Sequence, residues 1–211
     1  MSQQMATDPP ITARRAQTRD RLMTAARAVF ADRGIPGASV EEICEAAGYT
    51  RGAFYSNFGD KSALVLAMIE SRMASQYAAA ERAVATMKTA GDRSTDELLA
   101  IALSAFELAG SEEPREALLA DRELLLHAAR EPELRDPYRA FVTDCFSQIA
   151  ALVTDALEHA GLEFTVPVDH AVQLLAAAHD HLKTLELIGD TRTDPIAVFG
   201  SLVTAITRPV S

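Results

Sequence analysis

The chain lacks most of the features that mark secreted, membrane or metal-binding proteins. Its 211 residues include no tryptophan and only two cysteines, Cys44 and Cys145, which are too few and too distant for a disulfide framework or a four-cysteine zinc site. No run of about 20 apolar residues is free of charge, so no membrane-spanning helix is expected. The first 20 residues lack the apolar core of a secretory signal, which favours a cytoplasmic protein that contacts no membrane.

Sequence motifs of the common enzyme classes are also absent. The chain has no G-x-S-x-G, P-loop, H-E-x-x-H or dinucleotide-binding pattern. Asp121 and Glu123 stand two residues apart on an expected helix, so their side chains diverge and make a poor acid–base pair. His179 and His181 diverge by about 200° for the same reason, so they cannot share a metal ion. We therefore expect no enzyme activity, no cofactor and no metal site.

Charge is distributed unevenly along the chain. The net charge is −10, but residues 1–61 carry eight Arg or Lys against seven Asp or Glu, whereas residues 62–211 carry 12 against 23. A slightly basic first part therefore precedes a strongly acidic remainder. Such asymmetry hints at one end that binds an anionic partner and one solvated end, although alone it is a weak signal.

Almost the whole sequence has the pattern of α-helix. Ala and Leu dominate, strands with alternating β-branched residues are absent, and Gly and Pro fall between periodic apolar segments. The expected fold class is all-α, with about nine helices. Their expected ranges are 18–33, 40–47, 50–57, 61–87, 94–109, 114–130, 133–160, 168–188 and 195–207.

Residues 38–57 match a helix-turn-helix motif. Ser39 and Glu42 form the S-x-x-E capping box that starts the first helix, and Gly48 is placed to end it. Thr50 is a natural N-cap for the second helix. Eight residues of that helix span about 12 Å, which matches the width of the DNA major groove, also about 12 Å. The motif thus predicts a short helix that reads DNA.

The first residues of this second helix would face the DNA bases. Arg51 can pair with guanine O6 and N7, and Gly52 lets the backbone come close. Tyr55 is offset by one position from Phe54, so we expect it to face outward and reach a phosphate, while Phe54 and Phe58 enter the core. A backbone contact is the alternative for Arg51, because most protein–DNA hydrogen bonds go to the backbone.

Lys61 stands in the first turn of the next helix, where the helix dipole disfavours a cation. The position is unfavourable unless an anion approaches it. A DNA phosphate would be attracted by the ammonium and by the free N–H groups of the helix terminus. We therefore expect Lys61 to bind a phosphate.

These residues resemble the DNA-binding domain of the TetR family of bacterial transcriptional regulators, of the TetR/AcrR type. The resemblance covers roughly residues 15–67. It rests on an A-x-x-x-F-x-x-x-G pattern at Ala26, Phe30 and Gly34, and on an S-V-x-x-I pattern that begins at Ser39. Its most specific part is the run A-G-Y-T-R-G-x-F-Y-x-x-F-G-D-K that ends at Lys61.

The resemblance implies a flexible arm over residues 1–14, a helix-turn-helix domain over 15–60, and an effector-binding and dimerisation domain over 61–211. It implies DNA contacts from Ser39, Thr50, Arg51, Gly52, Tyr55, Asn57 and Lys61. Asn57 stands where the family frequently has histidine, and a phosphate contact is still expected from it. The basic residues Arg14, Arg15 and Arg19 either contact the minor groove or backbone, as the resemblance favours, or form a solvated arm.

The part after residue 61 carries no motif that names a ligand. Aromatic side chains with a few polar tips are typical of ligand cavities. The candidate effector-binding residues are Phe106, His127, Tyr138, Phe141 and Cys145, and plain core packing is the alternative for each. The last two helices are apolar on more than one side, which predicts a dimer interface built from Ala178, Leu182, Leu185, Phe199, Leu202 and Ile206.

The expected protein is a homodimeric repressor of transcription. It would bind a palindromic operator in double-stranded DNA and leave it when a small effector fills the second domain. A DNA-binding protein without effector control is the main alternative, activation instead of repression stays open, and an enzyme of unrecognised type is the least favoured reading. No motif identifies the effector or the operator.

Overall fold

The computed structural model describes residues 13–89, 115–190 and 192–210. Within these ranges the chain forms eight helices and one small sheet, and the predicted all-α fold class is confirmed. The helices are α1 (Ala13–Gly37), α2 (Val40–Ala47), α3 (Arg51–Phe58), α4 (Lys61–Thr89), α5 (Arg115–Arg130), α6 (Pro132–His159), α7 (Val168–Leu187) and α8 (Pro195–Ile206); the strands are β1 (Leu162–Phe164) and β2 (Thr207–Pro209). The predicted helix 94–109 lies outside the described residues, as do residues 1–12 of the expected arm.

The first helix is broken where the sequence predicted its end. Gly34 has φ +69° and ψ 161°, a conformation that favours glycine over every residue with a side chain. Residues 34–38 then form a turn into α2, in which the Ala38 N–H donates to the Ile35 carbonyl at 3.4 Å. We call this segment the 34–38 turn. At its other end α1 begins at Ala13, so the last two residues of the expected flexible arm are helical.

The small sheet was not predicted from the sequence. Strands β1 and β2 pair antiparallel, with Glu163 opposite Arg208, and the two side chains form an ion pair at 2.7 Å. Each strand has three residues, which is too short for an alternating pattern to be recognised. The sheet ties the end of the chain to the loop between α6 and α7.

Helices α1, α2 and α3 pack around one apolar core, and we call these three helices the head. Helices α2 and α3 are only two turns long, and each of them buries one apolar stripe in this core. Its fully or almost fully buried members in the head are Leu22, Ala26, Phe30, Ile35, Ala38, Ile43, Cys44, Phe54 and Phe58. Cys44 of α2 is also buried, 4% exposed.

The head core continues into the rest of the chain, which we call the body. Leu64, Val65, Met68 and Ile69 of α4 belong to the same cluster of buried side chains. Leu124 and Ala128 of α5 and Leu134 of α6 complete it, and α1 packs along α5. The predicted boundary at residues 60 and 61 is therefore not a gap in packing, because head and body share one core.

Long helices form the frame of the body. Helix α4 packs along α6, and α7 contacts both α6 and α8. By length and hydropathy α6 alone among the described helices could span a membrane. In the structure this helix packs against α4, α5 and α7. The Arg72 and Asp121 side chains join α4 to α5 through an ion pair at 2.8 Å that is only about one-fifth exposed.

Candidate DNA interface and effector cavity

The first helix of the helix-turn-helix motif has the predicted capping box. The Ser39 hydroxyl accepts from the Glu42 backbone N–H at 3.2 Å, and the Glu42 carboxylate accepts from the Ser39 N–H at 2.9 Å. These hydrogen bonds from Ser39 lower the pKa of Glu42, so the carboxylate is ionised at neutral pH. Gly48 ends the helix in the left-handed conformation, with φ +69°. Contacts between residues close together in the sequence thus define both ends of α2.

Helix α3 presents one face to the core and the other to solvent. Thr50 caps it by accepting from the Ala53 N–H at 3.2 Å. Phe54 and Phe58 are buried, whereas Tyr55 is 44% exposed, as the one-residue offset predicted. Arg51 and Gly52 are exposed at the start of the helix. The outer face of α3 therefore brings together Arg51, Gly52 and Tyr55, while Thr50 is exposed at its N-terminus.

The Arg51 guanidinium is held in place by two neighbours. It forms an ion pair with Glu41 of α2 at 2.8 Å, and its central carbon lies 5.8 Å from the centre of the Tyr55 ring. Contact with Tyr55 and the charge of Glu41 raise the pKa of Arg51. The side chain stays 60% exposed. It must leave Glu41 to pair with a guanine, so the carboxylate competes with any DNA base for this cation.

No close contact within the described residues explains why position 52 is a glycine. A Cβ atom added there would meet only the Thr50 hydroxyl oxygen, at 3.7 Å, which is an ordinary contact. Glycine inside a helix lowers its stability by about 0.5–1 kcal/mol relative to alanine. A close approach of DNA to Gly52 stays a prediction.

Two arginines of α1 hold the C-terminal end of α3. Arg19 donates to the Asn57 carbonyl at 2.6 Å and lies over the Phe58 ring, 4.4 Å from its centre, while Arg15 donates to the Ser56 carbonyl at 3.1 Å. Cations at a helix C-terminus are favourable because they meet unpaired carbonyls and the negative end of the dipole. The expectation of a flexible arm is therefore wrong for Arg15 and Arg19, which position α3.

The Asn57 side chain bonds within its own helix. Its amide nitrogen donates to the Ala53 carbonyl at 2.7 Å. A phosphate contact from Asn57 stays a prediction, and it requires this amide to be shared or released.

The Lys61 ammonium has two hydrogen-bond acceptors within the chain. Its ammonium donates to the Ile35 carbonyl at 2.8 Å and to the Ala38 carbonyl at 3.0 Å. The sequence argument that Lys61 needs an outside anion is therefore wrong, because carbonyls of the 34–38 turn offset the unfavourable dipole. These partners lie 26 and 23 residues away, beyond the reach of a local argument. A phosphate contact from Lys61 stays a prediction without that support.

Replacing Ser39 with alanine is expected to lower the free energy of unfolding by about 1 kcal/mol, because the cap of α2 is lost. Urea denaturation measures this change. Ser56→Ala is the matched control, since its exposed hydroxyl caps no helix and only donates to the Ala53 carbonyl and accepts from the Asn57 amide at 3.5 Å. Equal stability of the two variants would show that the cap contributes nothing, and a loss of DNA affinity alone would assign Ser39 to DNA contact.

A cavity of about 440 Å³ lies in the body between α4, α5, α6 and α7. Its apolar wall comes mainly from α4, α5 and α6, and its polar groups are carried by all four helices. The lining residues are Ile69, Arg72, Met73, Gln76, Leu118, Asp121, Arg122, Leu124, Leu125, Tyr138, Val142, Phe146, Gln173, Ala176, Ala177, His179, Asp180 and Lys183. Size and lining are those of a small-molecule site.

Of the predicted effector-binding residues that the structure describes, Tyr138 lines this cavity and three others do not. Burial raises the pKa of Tyr138, so its hydroxyl stays a neutral hydrogen-bond donor and acceptor. His127 lies on α5 near Lys61 and Glu123, and burial lowers its pKa. His127 does not line the cavity, which corrects the prediction, because it lies one helical turn from Glu123 on the side of α5 that is turned away from the lining.

Phe141 and Cys145 are also outside the lining. Phe141 packs against the shared head core, and the Cys145 sulfur lies 3.5 Å from the Met73 carbonyl of α4. Burial raises the pKa of Cys145, so the thiol stays protonated at neutral pH. Phe106 lies outside the described residues. Within the described residues no group of three His, Cys, Asp or Glu side chains could hold a metal ion.

Sequence reasoning missed the charged groups of the cavity. Arg122 of α5 forms an ion pair with Asp180 of α7, and its guanidinium also donates to the Thr184 hydroxyl at 3.0 Å. The Arg72–Asp121 pair lies on the opposite side, between α4 and α5. Both pairs join residues about 50 to 60 positions apart. No local pattern could have connected them.

An apolar stripe on α7 and α8 is only partly covered within the chain. On α7 it follows Leu174, Ala178, Leu182 and Leu185, which repeat at steps of three and four, and Leu174 is 44% exposed. On α8 it continues through Val198, 42% exposed, and Leu202. We call these six residues the α7–α8 face.

Two residues of the predicted dimer interface are covered already. Phe199 and Ile206 are 8% and 7% exposed, because they face inward from α8 within the same chain. They are not available to a partner, and the prediction is wrong for these two. The apolar periodicity of α8 could not indicate which of its sides is covered by its own chain, and an interface at the remaining positions stays a prediction.

Two family models match most of the chain. Residues 22–68 match the model described as "Bacterial regulatory proteins, tetR family". Residues 93–209 match the model described as "Tetracyclin repressor-like, C-terminal domain". Together they cover the head from residue 22 onward, the cavity helices α5 to α7 and the α7–α8 face.

Curated relatives match about a quarter of the chain. The HTH-type regulator TtgW of Pseudomonas putida is 41% identical over 56 residues, which are 26% of this chain and 42% of that protein. The HTH-type transcriptional repressor AcnR of Corynebacterium glutamicum is 43% identical over 51 residues, 24% of this chain and 27% of its own length. The matched segment thus spans less than half of these relatives.

Solved structures share the whole fold at low identity. A protein described as a TetR-family regulator from Mesorhizobium loti has a TM-score of 0.67 and 21% identity over 92% of this chain and 94% of its own. FadR of Bacillus subtilis, solved with stearoyl-CoA, has a TM-score of 0.65 and 19% identity over 88% and 95%. A regulator from Saccharomonospora viridis, solved with choline, has a TM-score of 0.63 and 18% identity over 90% and 95%.

Proposed function

The chain belongs to the TetR family of bacterial regulatory proteins, and on this basis we propose that it is a sequence-specific DNA-binding regulator of transcription, most simply a cytoplasmic repressor. The observation that carries the proposal is the outer face of α3. A two-turn helix, held at both ends, exposes Arg51, Gly52 and Tyr55 together. Such a helix can lie in the major groove with its N-terminal residues at the base edges.

We propose that two chains associate through the α7–α8 face. A contiguous apolar stripe on a soluble protein marks an interaction surface. A two-fold pair would present two α3 helices to a palindromic operator, with half-sites about 34–36 Å apart or a multiple of that spacing.

We propose that a small effector fills the body cavity and releases the operator. The volume and the mixed lining support a ligand, and they disfavour the alternative of a DNA-binding protein without effector control. Similar folds have been solved with stearoyl-CoA and with choline, two unlike molecules. The effector of this chain therefore has to be found by experiment.

The proposal is tested by selecting genomic DNA fragments on the purified protein and sequencing them. A palindromic sequence should be enriched, and its neighbouring genes would suggest the effector. Random recovery of fragments at physiological salt would contradict sequence-specific binding.

Replacing Gly52 with alanine is expected to separate stability from DNA binding. The free energy of unfolding should rise by about 0.5–1 kcal/mol. Affinity for the selected operator should fall about 5- to 150-fold, because an added Cβ crowds a close interface by about 1–3 kcal/mol. Gly37→Ala is the control, since its Cβ would meet only the Arg33 Cβ at 3.7 Å, away from α3. Unchanged operator affinity in Gly52→Ala would remove α3 from the interface.

A further inference from the structure

The 34–38 turn is held by charged groups from two helices of the body. The Glu123 carboxylate of α5 accepts from the Ile35 backbone N–H at 3.2 Å. The Lys61 ammonium of α4 donates to the Ile35 carbonyl at 2.8 Å. The Ile35 side chain is itself fully buried in the shared core. The backbone and side chain of this one residue are therefore fixed by three different elements.

Gly34 leaves room for the Glu123 carboxylate. A Cβ on Gly34 would lie 3.0 Å from a carboxylate oxygen of Glu123, tighter than most contacts of this kind, so the carboxylate would have to shift by a few tenths of an ångström. The positive φ of Gly34 turns the Ile35 N–H toward the body. The break of α1 at Gly34 and the Glu123 carboxylate on α5 are thus complementary in position.

The same stretch of α5 forms a wall of the cavity. Asp121, Arg122, Leu124 and Leu125 all line it, and Glu123 is the one residue of 121–125 outside the lining. Asp121 is paired with α4 and Arg122 with α7. A shift of this segment that makes room in the cavity must also move the carboxylate that holds Ile35, because the helix backbone is one rigid piece.

From this arrangement we propose that Glu123 is a positioning residue for the head, and that α5 transmits the state of the cavity to the 34–38 turn. Filling the cavity displaces residues 121–125, lengthens the contact between Glu123 and the Ile35 N–H, and loosens the head. A loosened head loses the orientation that operator binding requires, which lowers affinity without any change in the DNA-facing side chains. The expected loss of operator affinity rests on the proposed function, whereas the contact between Glu123 and the Ile35 N–H does not.

Hydrogen exchange at the Ile35 amide tests the contact in the free protein. Glu123→Ala should speed this exchange about tenfold or more, since a hydrogen bond to a charged acceptor is lost. Glu123→Gln keeps an acceptor oxygen and should stay within about twofold of the native chain. Glu116→Ala, an exposed acid on the same helix, is the control. Equal exchange in Glu123→Ala and Glu116→Ala would overturn the proposal.

A cavity-filling substitution serves as the probe for coupling, because it requires no effector. Ala176→Phe adds a ring to the lining and should speed Ile35 exchange and weaken operator binding at least about fivefold in the native background. In the Glu123→Ala background the same substitution should change both by less than about twofold, because the contact it acts on is gone. Glu123→Ala alone should weaken operator binding with an unchanged dependence on salt, since it removes no phosphate contact.

Equal effects of Ala176→Phe in the two backgrounds would show that α5 does not carry the coupling through Glu123. If the native chain selects no operator, the proposed function fails, but exchange at Ile35 still decides the role of Glu123. The two failures are therefore distinguishable.

Discussion

Replacing Arg51 with alanine is expected to weaken operator binding about 5- to 150-fold, because a guanidinium paired with a base contributes about 1–3 kcal/mol of discrimination. The loss should be specific to sequence. Affinity for operators altered at one guanine of each half-site should change little further in the variant, whereas the native chain should lose affinity for them. Fluorescence anisotropy on native and altered duplexes at one salt concentration measures both.

Glu41→Gln is the matched partner of that substitution, with an effect of opposite sign. Glu41 holds Arg51 at 2.8 Å in the free chain and adds a negative charge beside α3. Removing the charge frees the guanidinium and reduces repulsion from DNA, so operator binding should tighten up to about fivefold, the scale of an exposed ion pair. Binding by Arg51→Ala within twofold of the native chain would remove Arg51 from base recognition. Weaker binding by Glu41→Gln would mean that the ion pair shapes the DNA-facing surface.

Placing two glutamates on the α7–α8 face is expected to abolish the dimer and to lower operator affinity by a factor of about 10²–10⁴. Leu174→Glu and Val198→Glu change side chains that are 44% and 42% exposed in the single chain, so the fold of each chain should survive. In a dimer, binding of one α3 holds the second α3 at a high effective concentration near its half-site. This gain in affinity is lost when the dimer is abolished. Sedimentation gives the mass and anisotropy gives the affinity.

Leu126→Glu is the control for this variant. Leu126 is 45% exposed on α5, outside the α7–α8 face, so the substitution adds the same charge to a similar surface elsewhere. The control should remain a dimer and bind the operator as the native chain does. A double variant that is still dimeric, or a monomer with native affinity, would place the dimer interface elsewhere or show that binding does not need it.

The features that the sequence predicted correctly are those made by neighbours along the chain. The capping box of Ser39 and Glu42, the cap at Thr50 and the end of α2 at Gly48 each depend on contacts within four residues. The inward Phe54 and outward Tyr55 follow from helical geometry alone. Such rules need no knowledge of the tertiary fold, and they define the start and end of α2, the start of α3 and the inward and outward sides of α3.

The features that sequence reasoning missed are made by residues far apart. Lys61 bonds to the 34–38 turn, Arg19 to the end of α3, and Arg122 to Asp180, and each pair is brought together only by packing. The argument that Lys61 requires an outside anion failed because it considered the dipole of one helix and no neighbouring element. The interface assignment of Phe199 and Ile206 failed because periodicity finds apolar sides but not which element covers them.

The central claim is that α3 reads a specific DNA sequence, and the most direct test is the affinity of the purified protein for its selected operator beside a scrambled duplex of equal length and composition. At physiological salt the operator should bind about 10³-fold or more tightly than the scrambled duplex. Both affinities should fall as salt rises, since phosphate contacts release counterions. Equal affinity for the two duplexes across the salt range would contradict the account, whatever the affinity itself.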